Sequence, residues 1–219
     1  KKIKPDIIFH LAAQSLVSKS YKFPKKTFET NFNGTLNILN TSIELKKLRS
    51  LLIVTSDKCY QNLNIKKSFV ETDPLGGDDP YSASKGATEI LFNSYLKSFF
   101  INKRFGSASV RAGNVLGGAD WSHDRIIPDC VKSIISSKKI LIRYPHSTRP
   151  WQHILDVLNG YLMLAMKLYN NKEYSGNWNF GPKYKSNISV IKIVKLFFDY
   201  MKLPCNAKIY SHKNQKKEK

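Results

Sequence analysis

Short runs of β-branched and aromatic residues alternate with amphipathic stretches of ten or more residues through the first half of the chain. That alternation restricts the fold more than any other feature. Ile7, Ile8, Phe9 and His10, punctuated by Lys4-Pro5-Asp6, predict a buried strand. From Thr27 onward Phe28, Phe32, Thr35, Leu36, Leu39 and Ile43 recur every three or four residues, which predicts one apolar face of a helix ending near Lys46-Lys47. A second strand is expected at Leu51 to Thr55. A helix follows from Asp79-Pro80, where Asp caps free amides and Pro suits the first turn, with apolar positions Ala83, Ala87, Ile90, Leu91 and Tyr95. A third strand is expected at Ala108 to Arg111. Parallel strands need crossovers of about this length, so the prediction is an α/β fold with a doubly wound parallel sheet and a ligand at its strands' carboxyl ends. The second half is less regular. Gly113 to Pro150 is rich in Gly, Trp, Pro and His, and helices at Ile154 to Tyr169 and Ser189 to Met201 flank a strand at Asn177-Trp178-Asn179-Phe180.

With 219 residues, 42% of them hydrophobic, the chain can supply a packed core. Its longest apolar runs, such as Ile188 to Tyr200, are broken by Lys192, Lys195 and Asp199, so no membrane span is expected. The apolar run Ile7 to Leu11 is too short for a secretory leader, and a cytoplasmic location is expected. Cys59, Cys130 and Cys205 have no paired spacing, which suggests neither a zinc site nor a disulfide framework, and no metal is expected. A net charge of +20 raises the question of nucleic acid. The lysines, however, gather in the first six residues, at Lys22 to Lys26, at Lys138-Lys139 and at Lys213 to Lys219, rather than along one stripe interleaved with aromatics. A solvated surface, or steering of a small anionic substrate, accounts for them, and no nucleic-acid partner is expected.

Two groups of residues can carry chemistry. Tyr81 and Lys85 stand one turn apart on one face of the Asp79-Pro80 helix. A neighbouring ammonium favours phenolate, which would make Tyr81 a general base, although a surface Tyr and Lys would give the same spacing. Directly after the second strand come Thr55-Ser56-Asp57-Lys58, where a doubly wound sheet presents its site; a merely polar strand end is the alternative. In a continuing strand Asp57 and Lys58 would point to opposite faces, so both reach one substrate only if the chain turns there. His10, at a strand end, is expected to be packed and is assigned no proton transfer.

With three further segments these residues resemble the extended short-chain dehydrogenase/reductase family. The matching stretches are His10-Leu11-Ala12-Ala13-Gln14, Thr30-Asn31-Phe32-Asn33-Gly34-Thr35, Thr55-Ser56-Asp57-Lys58, Pro80-Tyr81-Ser82-Ala83-Ser84-Lys85 and Arg111-Ala112-Gly113-Asn114-Val115, in family order. An Asp followed by a second ionisable residue at this strand end is similar to the nucleotide-sugar 4,6-dehydratases. Lys58, where most relatives carry Glu, resembles the branch acting on CDP-glucose, as do Asp120-Trp121, Asp124-Arg125-Ile126-Ile127-Pro128 and Arg149-Pro150-Trp151-Gln152-His153.

The resemblance implies a Rossmann-like fold and NAD as cofactor. It implies that Tyr81, helped by Lys85 and Ser56, removes the C4 hydroxyl proton. Lys58 takes the C5 proton and Asp57 protonates the departing C6 hydroxyl, so Lys58 works as a neutral amine beside a protonated acid. Leu11, Ala12, Ala13, Gln14, Asn31 and Thr55, with Tyr81 and Lys85, would meet the cofactor. Asn114, Arg125, Ile126 and Arg149 would meet the substrate, although either arginine could form an ordinary ion pair. A nucleotide-sugar 4-epimerase shares Tyr81 and Lys85, and an inactive fragment acting as a binding module is the alternative from another class.

The family's Gly-x-x-Gly-x-x-Gly loop is absent from the 219 residues. The expected fold is therefore an incomplete doubly wound sheet, with residues 1–115 a partial NAD-binding domain carrying the catalytic residues. Residues 116–219 would be mostly a small substrate-binding lobe, with 151–182 returning to the core. An unpaired edge at Ile7 to Leu11, weak cofactor binding by this polypeptide alone, and a homodimer or homotetramer for the complete protein are also expected.

Overall fold

The computed structural model describes residues 3–62, 68–182, 187–205 and 207–209. Lys1, Lys2 and the lysine-rich stretch 213–219 lie outside them.

In chain order the elements begin with β1 (Ile7–His10), α1 (Val17–Lys22), α2 (Pro24–Phe28), a π-helical turn (Glu29–Asn33), α3 (Gly34–Ser42) and β2 (Ser50–Val54). A 3-10 turn (Asp57–Cys59) leads to α4 (Pro80–Tyr95), which continues into a second π-helical turn (Leu96–Phe100). Next come β3 (Gly106–Ala112), β4 (Val115–Leu116), α5 (Ile126–Ile135), β5 (Ile140–Ile142), β6 (Thr148–Pro150), β7 (Gln152–His153) and α6 (Ile154–Asn170). The last are β8 (Gly176–Phe180), β9 (Asn187–Ser189), α7 (Val190–Tyr200) and β10 (Ala207–Ile209).

The chain divides into two compact units. The first, residues 1–113 and 156–180, holds a four-stranded sheet in the order β1-β2-β3-β8. All its neighbours are parallel, with Ile7 beside Ser50, Ser50 beside Gly106 and Ala108 beside Gly176. Among the described residues β1 pairs along one side only, with β2. Leu51, Leu52 and Ile53 of β2 are wholly buried, as a central parallel strand covered on both faces requires. Leu51 and Ile53 pack with Leu39, Leu48, Phe92, Phe100 and Phe105, the last two rings meeting edge-on at 5.0 Å.

The second unit, residues 114–155 and 181–219, contains three two-stranded pairings: β5 with β10 and β4 with β7 in parallel, and β6 with β9 antiparallel. Its core gathers Cys130 of α5, Ile140 and Ile142 of β5, and Val194 and Phe198 of α7. No described helix is long and apolar enough to cross a membrane.

The four strands of the first unit's sheet and the cap of α4 follow the sequence; β4 to β7, β9, β10 and α5 are not expected from it, and two helix faces differ from expectation. The single helix expected from Thr27 to Lys46-Lys47 is broken by the π-helical turn and ends at Ser42. Its buried stripe is Thr27, Asn31, Thr35, Leu39 and Ser42, while Phe28 is 37% exposed. On α4 the buried positions are Tyr81, Ser82, Ser84, Lys85, Gly86, Thr88, Glu89 and Phe92, and Ile90 is 62% exposed. The reason is polar packing between these helices. Asn31 Nδ2 donates to Ser84 Oγ at 2.9 Å, Thr35 Oγ1 to the Asn31 carbonyl at 2.7 Å and Thr88 Oγ1 to the Ser84 carbonyl at 2.8 Å. Hydroxyls that bond the carbonyl four residues back leave a small, largely apolar surface, which a count of large apolar residues does not detect.

Candidate active site

Three segments of the first unit converge at the carboxyl ends of β1 and β2. After β1, Leu11 is 52% exposed and Ala12 is exposed, while Ala13 and Gln14 are half-buried. Gln14 fastens this loop. Its Nε2 donates to the Leu16 carbonyl at 3.1 Å and to Thr27 Oγ1 at 3.0 Å, and its Oε1 accepts from Leu16 N at 2.6 Å. Asn31 clasps its backbone, Oδ1 accepting from Gln14 N at 2.7 Å and Nδ2 donating to the Gln14 carbonyl at 3.1 Å. The amide groups of Gln14 and Asn31 are thus taken up within the protein, and Leu11 and Ala12 present the open surface.

His10 Nε2 lies 3.2 Å from Thr35 Oγ1. The Thr35 proton goes to the Asn31 carbonyl, so Nε2 is the donor to Thr35. Burial, reinforced by the nearby Lys85 ammonium, lowers the His10 pKa and keeps the ring neutral.

At the end of β2 the backbone of Thr55 still bonds β3, its N donating to the Val110 carbonyl at 2.9 Å, and the buried Thr55 hydroxyl donates to Glu89 Oε1. Ser56 is extended, and its Oγ accepts from Lys58 N at 3.2 Å and donates to Asp57 Oδ1 at 3.0 Å. The chain therefore turns immediately after Ser56, which is the geometry that Asp57 and Lys58 need to serve one cleft.

Helix α4 packs against that turn. Asp79 starts it: Oδ1 accepts from Tyr81 N at 2.9 Å and Ser82 N at 3.0 Å, and Oδ2 accepts from Ser82 Oγ at 2.6 Å. Gly86 permits the close approach, because a Cβ there would lie 2.6 Å from the Gly76 carbonyl and 3.3 Å from that of Cys59. Tyr81 and Lys85 are both buried, and Lys85 Nζ donates to the Val54 carbonyl at 3.2 Å. Burial lowers the Lys85 pKa to about 8, opposed by the negative charge of Glu89.

Glu89 and Arg111 form the part of this region that sequence reasoning missed. Both are almost wholly buried. Arg111 Nη2 donates to Glu89 Oε2 at 2.6 Å, which also accepts from Ser109 Oγ at 2.7 Å and Asn177 Nδ2 at 3.0 Å. Arg111 Nη1 donates to the Tyr60 hydroxyl at 2.7 Å, and the guanidinium lies 4.9 Å from that ring's centre. The available signal was spacing: Glu89 sits four residues beyond Lys85, on the same helix face.

The candidate substrate residues belong to the second unit. The Asn114 carbonyl accepts from Gln152 N at 3.0 Å, Arg125 precedes α5 with Nη1 3.5 Å from Asp120 Oδ2, Ile126 opens α5 half-buried, and Arg149 lies in β6 with Nη1 donating to the Thr148 carbonyl at 3.3 Å. A cavity of about 460 Å³ in this unit is lined by Asp124, Asp129, Lys132, Lys139 and Arg143 among others. None of the candidate site residues lines it, so cavity volume alone does not locate the chemistry. Among the described residues no cluster of His, Cys, Asp and Glu could hold a metal ion.

A parallel sheet with a Ser-Asp-Lys turn at one strand end, against which a helix bearing Tyr-x-x-x-Lys packs, is the fold of an extended short-chain dehydrogenase/reductase. More narrowly, the chain belongs to the GDP-mannose 4,6 dehydratase family, whose sequence model matches residues 1–200. The CDP-glucose 4,6-dehydratase of Salmonella typhimurium (strain LT2) is 45% identical over 186 residues, 82% of this chain and 52% of the relative. The UDP-glucose 4-epimerase of Mycoplasma genitalium is 27% identical over 90% of this chain and 62% of that protein. In three dimensions a dTDP-glucose 4,6-dehydratase from Streptomyces venezuelae, solved with NAD bound, superposes with a TM-score of 0.79 at 20% identity, covering 94% of this chain and 60% of that one. The chain spans about half the length of its Salmonella relative.

Proposed function

We propose that the whole protein dehydrates a nucleotide-activated hexose, converting CDP-glucose to CDP-4-keto-6-deoxyglucose with NAD as cofactor. The observation that carries the reading is the turn Asp57–Cys59, which brings Asp57 and Lys58 to the strand end against which the Tyr81–Lys85 helix packs. The 45% identity to a CDP-glucose 4,6-dehydratase supports the same substrate, against 27% to a 4-epimerase.

The open Leu11-Ala12 surface at the end of β1 fits a dinucleotide, since small side chains let it lie close to the backbone. Bound there, NAD would supply the hydride acceptor for C4 of the sugar and the hydride donor for C6. Tyr81 takes the C4 hydroxyl proton, with Lys85 favouring its phenolate and Ser56 bonding the same oxygen. The C4 ketone acidifies the C5 hydrogen, which Lys58 removes as the neutral amine. Asp57, in its acid form, protonates the C6 hydroxyl as it leaves as water. Asn114, Arg125, Ile126 and Arg149 hold the nucleotide and diphosphate, where the arginine forks match phosphate oxygens. The enzyme is proposed to work in the cytoplasm as a homodimer or homotetramer.

Turnover of CDP-glucose and dTDP-glucose by the whole protein with NAD, read by mass spectrometry, tests the proposal. A product lighter by one water, formed preferentially from CDP-glucose, is expected. An isomer of unchanged mass would establish epimerisation instead.

A further inference from the structure

The carboxylate of Glu89 has two differently used edges. Oε2 faces Arg111, Ser109 and Asn177, which come from β3 and β8. Oε1 accepts from Thr55, the residue after Val54, whose carbonyl takes the hydrogen bond from Lys85 Nζ. One side chain therefore joins β3, β8 and the residue that follows β2 to the helix that carries Tyr81 and Lys85, one turn beyond Lys85. The Thr55 bond also anchors the chain directly before Ser56, Asp57 and Lys58.

A carboxylate with four donors is fully partnered, so the buried Arg111 accounts for a carboxylate opposite it but not for its place one turn beyond Lys85. Lys85 is 5% exposed, and an ammonium so buried requires a nearby negative charge. The charged or titratable groups around it are His10 at the end of β1, Asp57, Lys58 and Cys59 in the turn, and Tyr81 and Glu89 on its own helix. His10 is neutral, and the Cys59 thiol is held un-ionised by burial. Of these groups Glu89, one helical turn away on the same helix, is the one whose negative charge most opposes the effect of burial on Lys85.

We propose that Glu89 is a positioning residue for the reacting pair: its carboxylate fixes the Ser56–Lys58 strand end against α4 and supplies the charge that keeps the buried Lys85 an ammonium beside Tyr81. The proposal rests on the reading of Tyr81 and Lys85 as the reacting pair, and its test does not depend on turnover.

The test is the titration of Lys85 in this 219-residue chain, followed by NMR of ¹³Cε-labelled lysine with the Lys85 signal identified by its loss in Lys85→Met. In the parent the midpoint is expected near 8. In Glu89→Gln, which keeps the side-chain size, the proton affinity of Lys85 falls by at least about tenfold, as removal of a charge one helical turn away predicts. Glu89→Asp, which keeps the charge, recovers part of that loss. Should Glu89→Gln not fold, the Glu89→Met/Arg111→Met double variant removes both charges without leaving either member of the pair buried alone; because loss of the Arg111 cation offsets part of the effect, a smaller fall in the same direction is expected. An unmoved Lys85 midpoint in a folded variant overturns the proposal and reduces Glu89 to a structural ion pair, whatever the outcome with CDP-glucose. A shifted midpoint in a protein that does not turn over CDP-glucose would count against the substrate and leave the coupling standing.

Discussion

Replacing Lys85 by Met should stabilise the protein at neutral pH. Burial lowers the Lys85 pKa from 10.5 to about 8, and that difference corresponds to about 3 kcal/mol by which the folded state disfavours the ammonium. Met is close in volume and pays no such cost, but it leaves the Val54 carbonyl without its donor, a loss of about 1 kcal/mol. The net gain near pH 7 is about 2 kcal/mol, or a rise of roughly 4–8 °C in Tm for a chain of this size. The sign reverses with pH. Below pH 8 Lys85 is protonated in both folded and unfolded chains and the penalty is complete; between 8 and 10.5 the unfolded chain binds the proton that the folded one has released, so the parent gains stability as pH rises. The variant lacks that rise, and above 10.5 the parent becomes the more stable by the hydrogen bond alone. Urea unfolding of both proteins at intervals from pH 7 to 11 measures the difference, in which the other lysines and the tyrosines apart from Tyr81 cancel. Parallel stability curves across this range would refute the reasoning.

Other consequences are equally direct. Asp79→Ala removes the cap of α4 and should cost about 1–2 kcal/mol in urea unfolding, whereas Asp79→Asn, which keeps an acceptor, should cost much less; equal losses would contradict the capping geometry. Gly86→Ala should destabilise by about 1–3 kcal/mol despite the better helix propensity of Ala, because its Cβ meets the Gly76 carbonyl at 2.6 Å, and a gain in stability would show that α4 does not lie so close. Phe92→Ala should cost about 3–5 kcal/mol, since the ring is wholly buried among Leu39, Leu51 and Phe105, and a calorimetric loss well below that would mean that the core collapses around the gap. In the whole protein Lys58→Met should slow exchange of the C5 hydrogen with solvent deuterium by about 10²–10⁴. Unchanged exchange would remove Lys58 from its proposed role as base.

Much of the scaffold was legible because its signals are local. Ile7–His10 and Ser50–Val54 are short apolar runs that form strands as expected, although only the second is buried, Ile7 being 38% exposed and Ile8 to His10 half-buried; Asp79-Pro80 carries its helix start in two residues. The turn after Ser56 was required by a simple point of geometry: alternate residues of a strand face opposite ways. The buried faces of α3 and α4 were not legible. Asn31, Thr35, Ser84 and Thr88 look like solvent-facing residues until it is known that Asn31 bonds Ser84 across the two helices and that the threonines turn their hydroxyls back on carbonyls of their own helices.

The sequence by itself determined the alternation of strands and helices, the spacing of Tyr81 and Lys85, and the family to which the chain belongs, since each depends on residues close together or on the order of short motifs. Only the tertiary structure decided that Glu89 meets Arg111 from 22 positions away and Asn177 from 88 positions away. It also decided that Lys85 is buried deeply enough for its proton to be held weakly. Such pairings depend on which strand lies beside which and on how much water is excluded, and neither quantity is encoded in any stretch of neighbouring residues.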